Sequence, residues 1–267
     1  MTENVLGTAL VTGASRGIGR AIAAALAARG WDVIGTCRDP KALPTADRVG
    51  GVRYLPLDLA REKSVDALIK KLPAVDLLVN NAGESPIGPA EEHPVDRARE
   101  SFQVNFFGPM RITQAVVTGM RERRRGLVVF VGSIRSEAPS PFSSIYSAAK
   151  AAVRSFAQSL RMEVAEYGVR VAVVAPWHIR TTLPQEILLR PGSPYADALR
   201  RVKANRDRSI GAAPGTDLVA SRVMAIVASP RPPALTVVGR PLFTFLVRHL
   251  PPRIVEGFSA RMVGLAR

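Results

Sequence analysis

Short apolar runs alternate along the chain with longer segments in which apolar residues recur every three or four positions. The runs lie at Thr8 to Thr12, Asp32 to Cys37, Val52 to Leu57, Asp76 to Asn80, Leu127 to Gly132, Val169 to Ala175 and Leu235 to Val238. After the first run, Ile18, Ile22 and Leu26 share one helix face, and Gly30 ends the pattern. The alternation predicts seven strands joined by helices, as in βαβ units.

Two of the predicted strands have no polar face. Leu77-Leu78-Val79 and Val171-Ala172-Val173-Val174 are apolar at successive positions, which suits parallel strands covered by helices on both sides of the sheet. A chain of 267 residues is long enough for one such core and shows no long linker. We therefore predict the α/β class, with residues 1–267 forming a single-domain doubly wound parallel sheet, a Rossmann fold.

Two segments interrupt the alternation. Residues 182–208 hold three prolines and a glycine among short helical pieces. They follow a strand at the sheet edge where such folds bind ligands, so we predict a helical lid. Residues 240–267 are apolar, basic and helical in spacing, and we predict a C-terminal helical tail. We expect the lid and the tail to form the substrate pocket.

Cysteine content and hydropathy indicate a cellular compartment. The single cysteine, Cys37, excludes an internal disulfide and fits a reducing environment. The first residues are polar and lead directly into a predicted strand, unlike a signal peptide. No apolar stretch has the length of a membrane span. We expect a cytoplasmic protein.

The formal net charge of +15 suggests anionic partners, but the basic residues are scattered. Two dense runs, at 121–125 and 200–208, come without a helix-turn-helix, zinc or aromatic-basic pattern. We interpret them as solvated helix faces and expect no nucleic-acid partner. His93, His178 and His249 are not spaced as metal ligands, so we expect no metal.

The turn after the first predicted strand reads Thr12-Gly13-Ala14-Ser15-Arg16-Gly17-Ile18-Gly19. Glycines here permit a tight turn and a close approach of the backbone to a pyrophosphate at the following helix N-terminus. The second strand ends in Cys37-Arg38, and a guanidinium suits the 2′-phosphate that distinguishes NADP(H) from NAD. Arg16 could supply a second guanidinium, whereas Asp39 is the one residue that favours NAD. We predict NADP(H) as the cofactor.

Tyr146 and Lys150 are four positions apart on a predicted helix, so their side chains share a face. A cation beside a phenol favours its ionised form, which makes the phenol a usable proton donor and acceptor. Ser133 closes an apolar run, and twelve residues separate it from the tyrosine. The three residues predict proton transfer beside a nucleotide.

These motifs, in this order and spacing, resemble those of classical short-chain dehydrogenases/reductases. The resemblance covers about residues 6–182. It is carried by the glycine turn, Asp58-Leu59, Asn80-Asn81-Ala82-Gly83, Asn105, Ser133 and Tyr146 with Lys150. It implies a nicotinamide-dependent interconversion of a small-molecule ketone or aldehyde and an alcohol, and a homodimer formed through the helices that hold Asn105 and Tyr146.

The resemblance also implies a role for each matching residue. Tyr146 would be the general acid/base, Lys150 would favour its ionised form and hold the nicotinamide ribose, and Ser133 would stabilise the carbonyl oxygen. Asn105 would anchor a water molecule in a proton relay. The implied cofactor-binding residues are Gly13, Ser15, Arg16, Gly17, Ile18, Gly19, Arg38, Asp58, Leu59, Asn81, Gly83, Tyr146, Lys150, Ile179 and Thr181.

Three residues near these motifs depart from the family pattern and are candidate substrate contacts: Arg135, Trp177 and His178. Arg135 stands where the family keeps a small side chain, and it could reach an anionic or polar substrate group or turn outward. Trp177 could add bulk near the nicotinamide or fill core. The tail resembles those of members that act on steroids, retinoids and other lipophilic carbonyls, which favours a bulky lipophilic substrate.

Several alternatives stay open. A β-ketoacyl or polyketide ketoreductase is the alternative among enzymes, with the basic run at 200–208 docking an acidic carrier protein. A non-catalytic NADPH-binding sensor is the alternative of another class, because a fold alone does not establish activity. Residues 240–267 could also lie at a membrane interface, although core packing or a dimer contact is favoured.

Overall fold

The computed structural model describes residues 6–181, 183, 185–240, 249–262 and 265. It contains the seven predicted strands, each within one residue of its expected limits: β1 (Thr8–Val11), β2 (Asp32–Cys37), β3 (Val52–Pro56), β4 (Leu77–Asn80), β5 (Gly126–Val131), β6 (Val169–Pro176) and β7 (Leu235–Val238). They form one sheet in the order β3-β2-β1-β4-β5-β6-β7, and every neighbouring pair is parallel. The predicted doubly wound parallel sheet is confirmed.

Helices cover both faces of this sheet. They are α1 (Gly17–Ala27), α2 (Glu62–Ile69), α3 (Val95–Phe102), α4 (Gly108–Glu122), α5 (Ser144–Glu163), α6 (Ala196–Gly211), α7 (Asp217–Ala228) and α8 (Pro252–Met262). Ala9 and Val11 pack in a cluster with α1 and α7, whereas Leu10 packs in a second cluster with α2, α4 and α5. Because successive residues of a strand point to opposite faces, burial of both faces explains why the strands are continuously apolar.

The sheet has its topological switch point between β1 and β4. The chain continues from β1 to β2 on one side, and from β4 to β5 on the other. In parallel α/β sheets this arrangement leaves a crevice at the carboxyl ends of the two central strands. The glycine turn follows β1 and the segment Asn81 to Gly83 follows β4, so both lie at that crevice.

The segment between β6 and α7 corresponds to the predicted lid, of which Thr182 and Pro184 lie outside the described residues. It is attached to the body of the molecule by backbone hydrogen bonds. The N–H of Ile87 donates to the carbonyl of Glu186 over 2.9 Å, and the N–H of Leu188 donates to the carbonyl of Ile87 over 2.9 Å. Opening and closing of this segment stay a prediction.

The predicted tail is described only in part, because residues 241–248, 263, 264, 266 and 267 lie outside the described residues. Within α8, Ser259 is buried and Ile254 is exposed. Contacts of the tail with substrate, a second subunit or a membrane stay predictions. Among the described residues, the helices are all too short or too polar to cross a bilayer.

Candidate active site

A cleft of about 550 Å³ opens at the crevice above β1 and β4. It brings together the residues predicted from widely separated motifs. The predicted residues that line it are Gly13, Ser15, Arg16, Gly17, Ile18, Arg38, Asp58, Leu59, Asn81, Gly83, Asn105, Ser133, Arg135, Tyr146, Lys150, Trp177, His178, Ile179 and Thr181. Gly19 is the exception, because it is buried in α1 and does not line the cleft.

Gly19 allows the glycine turn to close tightly. A Cβ atom at this position would lie 2.2 Å from the carbonyl oxygen of Gly13, so only glycine fits. Gly13 and Gly17 have φ angles of +69° and +56°, in the left-handed region that glycine enters without strain. The first turn of α1 has no side-chain cap and no acidic residue. Its free N–H groups and the positive end of the helix dipole fit an anionic phosphate.

The far end of the cleft carries positive charge beside β2. Arg16 and Arg38 both line it and are both exposed. Asp39, the residue that favours NAD, is absent from the lining. Its Oδ1 instead accepts hydrogen bonds from the backbone N–H groups of Lys41 at 2.8 Å and Ala42 at 3.3 Å. The cleft is therefore lined by two guanidinium groups and not by the Asp39 carboxylate.

The loop after β4 is joined to the end of β1 through Thr12. The backbone N–H groups of Asn81 and Ala82 donate to Thr12 Oγ1 at 2.9 and 3.0 Å. The Asn81 side-chain amide donates to the Thr12 carbonyl at 2.8 Å. These bonds join the two walls of the crevice.

Asn105 lies in a π-helical turn, Gln103–Phe107, between α3 and α4. Its side chain donates to the backbone carbonyls of Ser101 at 3.0 Å and Glu84 at 3.2 Å. A Cβ atom on Gly83 would lie 2.8 Å from Asn105 Oδ1 and 3.6 Å from Lys150 Nζ. Glycine at position 83 therefore lets the amide and the ammonium approach the same backbone segment. Such π-helical turns are frequent at functional sites.

Tyr146 and Lys150 lie one turn apart on α5 and both line the cleft. The Lys150 side chain is buried, with 6% of its surface exposed. Its Nζ donates to the carbonyl of Val131 at 3.1 Å and lies 5.8 Å from the centre of the Tyr146 ring. Ser133 follows β5, is buried, and accepts a hydrogen bond from the Arg135 N–H at 3.2 Å. Hydroxyl, phenol and ammonium thus meet at one end of the cleft.

The side chain of Arg135 turns inward, toward this end of the cleft. Burial, together with the nearby charge of Arg206, lowers its pKa to about 10, so the guanidinium stays charged at neutral pH. Burial, followed by the charges of Arg135, Arg206 and Arg240, lowers the pKa of His178 to about 4. His178 is therefore a neutral imidazole at neutral pH. Trp177 lies beside it, with 5.7 Å between the ring centres.

Arg206 is a cleft residue that the sequence analysis missed. The interpretation of the run at 200–208 as a solvated helix face is wrong for this one position, because Arg206 lines the cleft. The spacing of apolar residues along α6 could have indicated this position. Leu199 and Val202 are buried on α6, and Arg206 follows at the next position on the same helix face. Arg200, Arg201 and Arg208 are exposed, as predicted.

Fold and cleft define a Rossmann-type oxidoreductase with a nicotinamide cofactor. The chain belongs to the short-chain dehydrogenase family, whose family model matches residues 7–190. The sequence-based resemblance to this family is thereby confirmed.

Similar proteins support the same assignment. The chain is 30% identical to a dehydrogenase/reductase SDR family protein 7-like of Drosophila melanogaster, over 94% of this chain and 79% of the relative. It is 37% identical to the 3-oxoacyl-acyl-carrier-protein reductase FabG of Escherichia coli, over 67% of this chain and 76% of the relative.

Two solved structures show the same fold. A short-chain dehydrogenase from Streptomyces avermitilis superposes with a TM-score of 0.81 at 30% identity, covering 98% of both chains. A serine dehydrogenase complexed with NADP+ superposes with a TM-score of 0.72 at 25% identity, covering 86% of this chain and 94% of that one.

Proposed function

We propose that this protein is an NADPH-dependent reductase, or in the reverse direction an alcohol dehydrogenase, acting on a bulky lipophilic ketone or aldehyde. One observation carries the proposal: Ser133, Tyr146 and Lys150 meet in the same cleft as the phosphate-binding turn. A carbonyl in this cleft would lie beside both a proton donor and the nicotinamide end of a bound dinucleotide.

Bound NADPH supplies the hydride in this chemistry. In the reduction direction, the Tyr146 hydroxyl gives its proton to the carbonyl oxygen of the substrate. The Ser133 hydroxyl donates a hydrogen bond to that oxygen and stabilises its developing negative charge. Lys150 Nζ places a buried positive charge beside the phenol, favours its ionised form and holds the nicotinamide ribose. Asn105, behind Lys150, anchors the water molecule that returns a proton from solvent.

The preference for NADPH rests on the charges at the far end of the cleft. Arg16 and Arg38 line that end, and the Asp39 carboxylate is engaged by its own turn. A guanidinium binds a 2′-phosphate through two parallel hydrogen bonds, whereas a carboxylate there would repel it. The NADP+ bound to the similar serine dehydrogenase agrees with this preference.

The proposal of a lipophilic substrate is based on apolar side chains in and near the lid segment. Leu183, Ile187 and Leu189 are exposed, at 37%, 46% and 37% of their surfaces. Leu183 also lines the cleft, together with Ile210 and Trp177. An apolar substrate body in the cleft would cover Leu183, Ile210 and Trp177 and gain about 25 cal/mol for each Å² removed from water.

A second candidate is a β-ketoacyl reductase whose substrate is bound to a carrier protein. Similarity to FabG favours it, as do the exposed Arg200, Arg201 and Arg208, which could contact an acidic carrier protein. A non-catalytic NADPH sensor is disfavoured, because a sensor has no need of the serine, tyrosine and lysine together.

The test is NADPH oxidation by the purified protein across steroid ketones, retinal, aromatic polyketide ketones and β-ketoacyl thioesters. NADH is run in parallel, and Tyr146→Phe is the matched control because it removes only the hydroxyl. We expect turnover with one class, at least about 100-fold slower in the variant, and weaker turnover with NADH. Equal inertness of both proteins, with NADPH bound, would favour the sensor. A thioester as the only substrate would favour the carrier-protein alternative.

A further inference from the structure

We propose that the substrate of this reductase carries an oxyanion, bound between the guanidinium groups of Arg135 and Arg206. The inference rests on the proposed function and names the class of substrate. The molecule would be an amphipathic oxo acid, with a carbonyl at Tyr146, an apolar body against the lid segment, and a carboxylate or phosphate at the two arginines.

The two guanidinium groups approach the reacting end of the cleft from different elements. Arg135 follows β5, two residues after Ser133, and Arg206 projects from α6. Arg206 Nη2 donates a hydrogen bond to Ser85 Oγ at 3.1 Å, and Ser85 is completely buried. Both guanidinium groups interact electrostatically with Tyr146. An anionic group bound between them would therefore lie close to Tyr146. One substrate molecule could carry both this anion and the carbonyl that reacts at Tyr146.

No carboxylate forms an ion pair with either arginine among the described residues. The acids nearby in the chain pair with other cations. Glu137 bonds to Arg154 at 2.7 Å, Glu84 to Arg97 at 2.7 Å and Asp207 to Lys203 at 2.5 Å. Arg135 and Arg206 thus both line the cleft as like charges partly withdrawn from water, and the adjacent Asp207 offsets part of the charge of Arg206 only.

This arrangement is costly unless an anion joins it. Burial lowers the pKa of both guanidinium groups, which expresses the cost of keeping them charged away from water. An oxyanion would offset the repulsion between the two positive charges. It would also accept hydrogen bonds from both guanidinium groups. Neutral His178 lies beside them, and its one protonated ring nitrogen can donate a further hydrogen bond to the anion.

The phosphates of the cofactor are poor candidates for this role. The phosphate-binding turn lies at the N-terminus of α1, and Arg16 and Arg38 provide the positive charge for a 2′-phosphate near β2. Arg135 and Arg206 instead lie with Ser133 and Tyr146, where the substrate carbonyl reacts. The anion they bind therefore belongs to the substrate.

The test compares oxo carboxylates of increasing chain length with their neutral methyl esters, and para-acetylbenzoate with para-acetylphenyl phosphate. Each is assayed for NADPH oxidation and for binding to the NADPH complex by calorimetry. The variants are Arg135→Met and Arg206→Met. Arg222→Met is the matched control, because it removes an exposed guanidinium on α7 that does not line the cleft.

We expect an acid to be preferred over its ester, and each variant to lower its kcat/KM about 10- to 100-fold, as for loss of a charged hydrogen bond. The kcat/KM of both variants on the esters, and that of the control variant on the acids, should stay within about 3-fold of the parent protein's values. The carboxylate and phosphate arms decide which oxyanion fits. Preference for esters, or equal losses for acid and ester, would overturn the proposal. Arginine-dependent binding of acids without turnover would uphold the anion site while refuting the proposed reductase.

Discussion

Single residues in this cleft are placed by backbone requirements as much as by side-chain chemistry. The Asn105 amide reaches the carbonyl of Glu84 because Gly83 has no side chain in its path. Spacing alone identifies Tyr146 and Lys150, since residues four apart on a helix share a face. It identifies Arg206 less well, because positions 200 to 208 hold five basic residues and the sequence does not distinguish the one that lines the cleft. At this scale, side chains on one helix can be predicted, whereas contacts between distant segments need the fold.

His178 supplies a pH-dependent contribution to stability that can be measured. Its pKa is about 4 in the folded protein, against about 6.5 when unfolded. Between these values the unfolded chain binds more protons, so the free energy of unfolding decreases as pH falls below about 6.5. Near pH 5 the loss is roughly 2 kcal/mol relative to neutral pH.

We expect His178→Gln to remove that part of the acid destabilisation. The measurement is urea unfolding of both proteins near pH 7.5 and pH 5 (about 2.5 units apart). His249→Gln, at an exposed histidine, is the control and should behave as the parent protein. If the parent and His178→Gln lose the same stability between the two pH values, then His178 does not titrate as stated. His93, whose pKa burial also lowers, contributes equally to both proteins.

Elements were predicted more reliably where the pattern is continuous than where packing decides. The strands match because their apolar runs are bounded by turns and polar residues. The π-helical turn at Gln103–Phe107 has no such pattern, since it depends on bonds from Asn105 to Ser101 and to the loop after β4. The lid segment was predicted from its prolines, but its attachment at Ile87 could not be, because it joins residues distant in the chain.

Arg97 connects three of these elements and should hold the lid segment in place. From α3 it reaches Glu84 after β4 and Glu186 in the lid segment, each at 2.7 Å. Its side chain is 17% exposed, so the bond to Glu84 is partly shielded from water, whereas Glu186 is half exposed and contributes less. We expect Arg97→Met to lower the free energy of unfolding by about 1 to 3 kcal/mol and to raise KM for the substrate.

Arg99→Met is the matched control for this prediction. Arg99 lies two residues away on α3, and its one ion pair within the described part of the chain is with exposed Asp96. We therefore expect a change within about 0.5 kcal/mol. Urea unfolding and steady-state kinetics measure both variants. The same small change in both would show that Arg97 does not hold the lid segment.

At the scale of the whole molecule, rules of α/β topology account for much of what could be predicted. Right-handed crossovers and short connections restrict seven alternating strands and helices to few arrangements, and the doubly wound order is one of them. The net charge of +15 gave little guidance about function. Its meaning depends on where each arginine lies, and Arg135 and Arg206 line one cleft only because the fold brings the ends of β5 and α6 together.

An unpartnered surface on α5 supports the homodimer that family membership implies. Ala148, Ala151 and Ser155 are exposed at helical spacing and form a flat strip of small residues. Met162 continues along the helix and is 69% exposed, and Phe107, the last residue of the π-helical turn before α4, is 46% exposed. Exposed apolar side chains beside a flat helix face suit close contact with a second copy, in which a stable interface buries about 800 Å² on each subunit.

We predict a dimer through α4 and α5, which sedimentation velocity can measure. Ala151→Arg places a long charged side chain in the centre of the strip, and we expect it to convert the dimer to monomer at micromolar concentration (a loss of about 100-fold or more in affinity). Ala28→Arg is the matched control, since it alters an exposed alanine at the end of α1, away from the strip. A parent protein that sediments as a monomer, or a dimer that survives Ala151→Arg unchanged, would contradict this interface. Because Tyr146 and Lys150 lie on the same helix, we further expect the monomeric variant to lose activity along with assembly, as α5 would no longer be held by its partner.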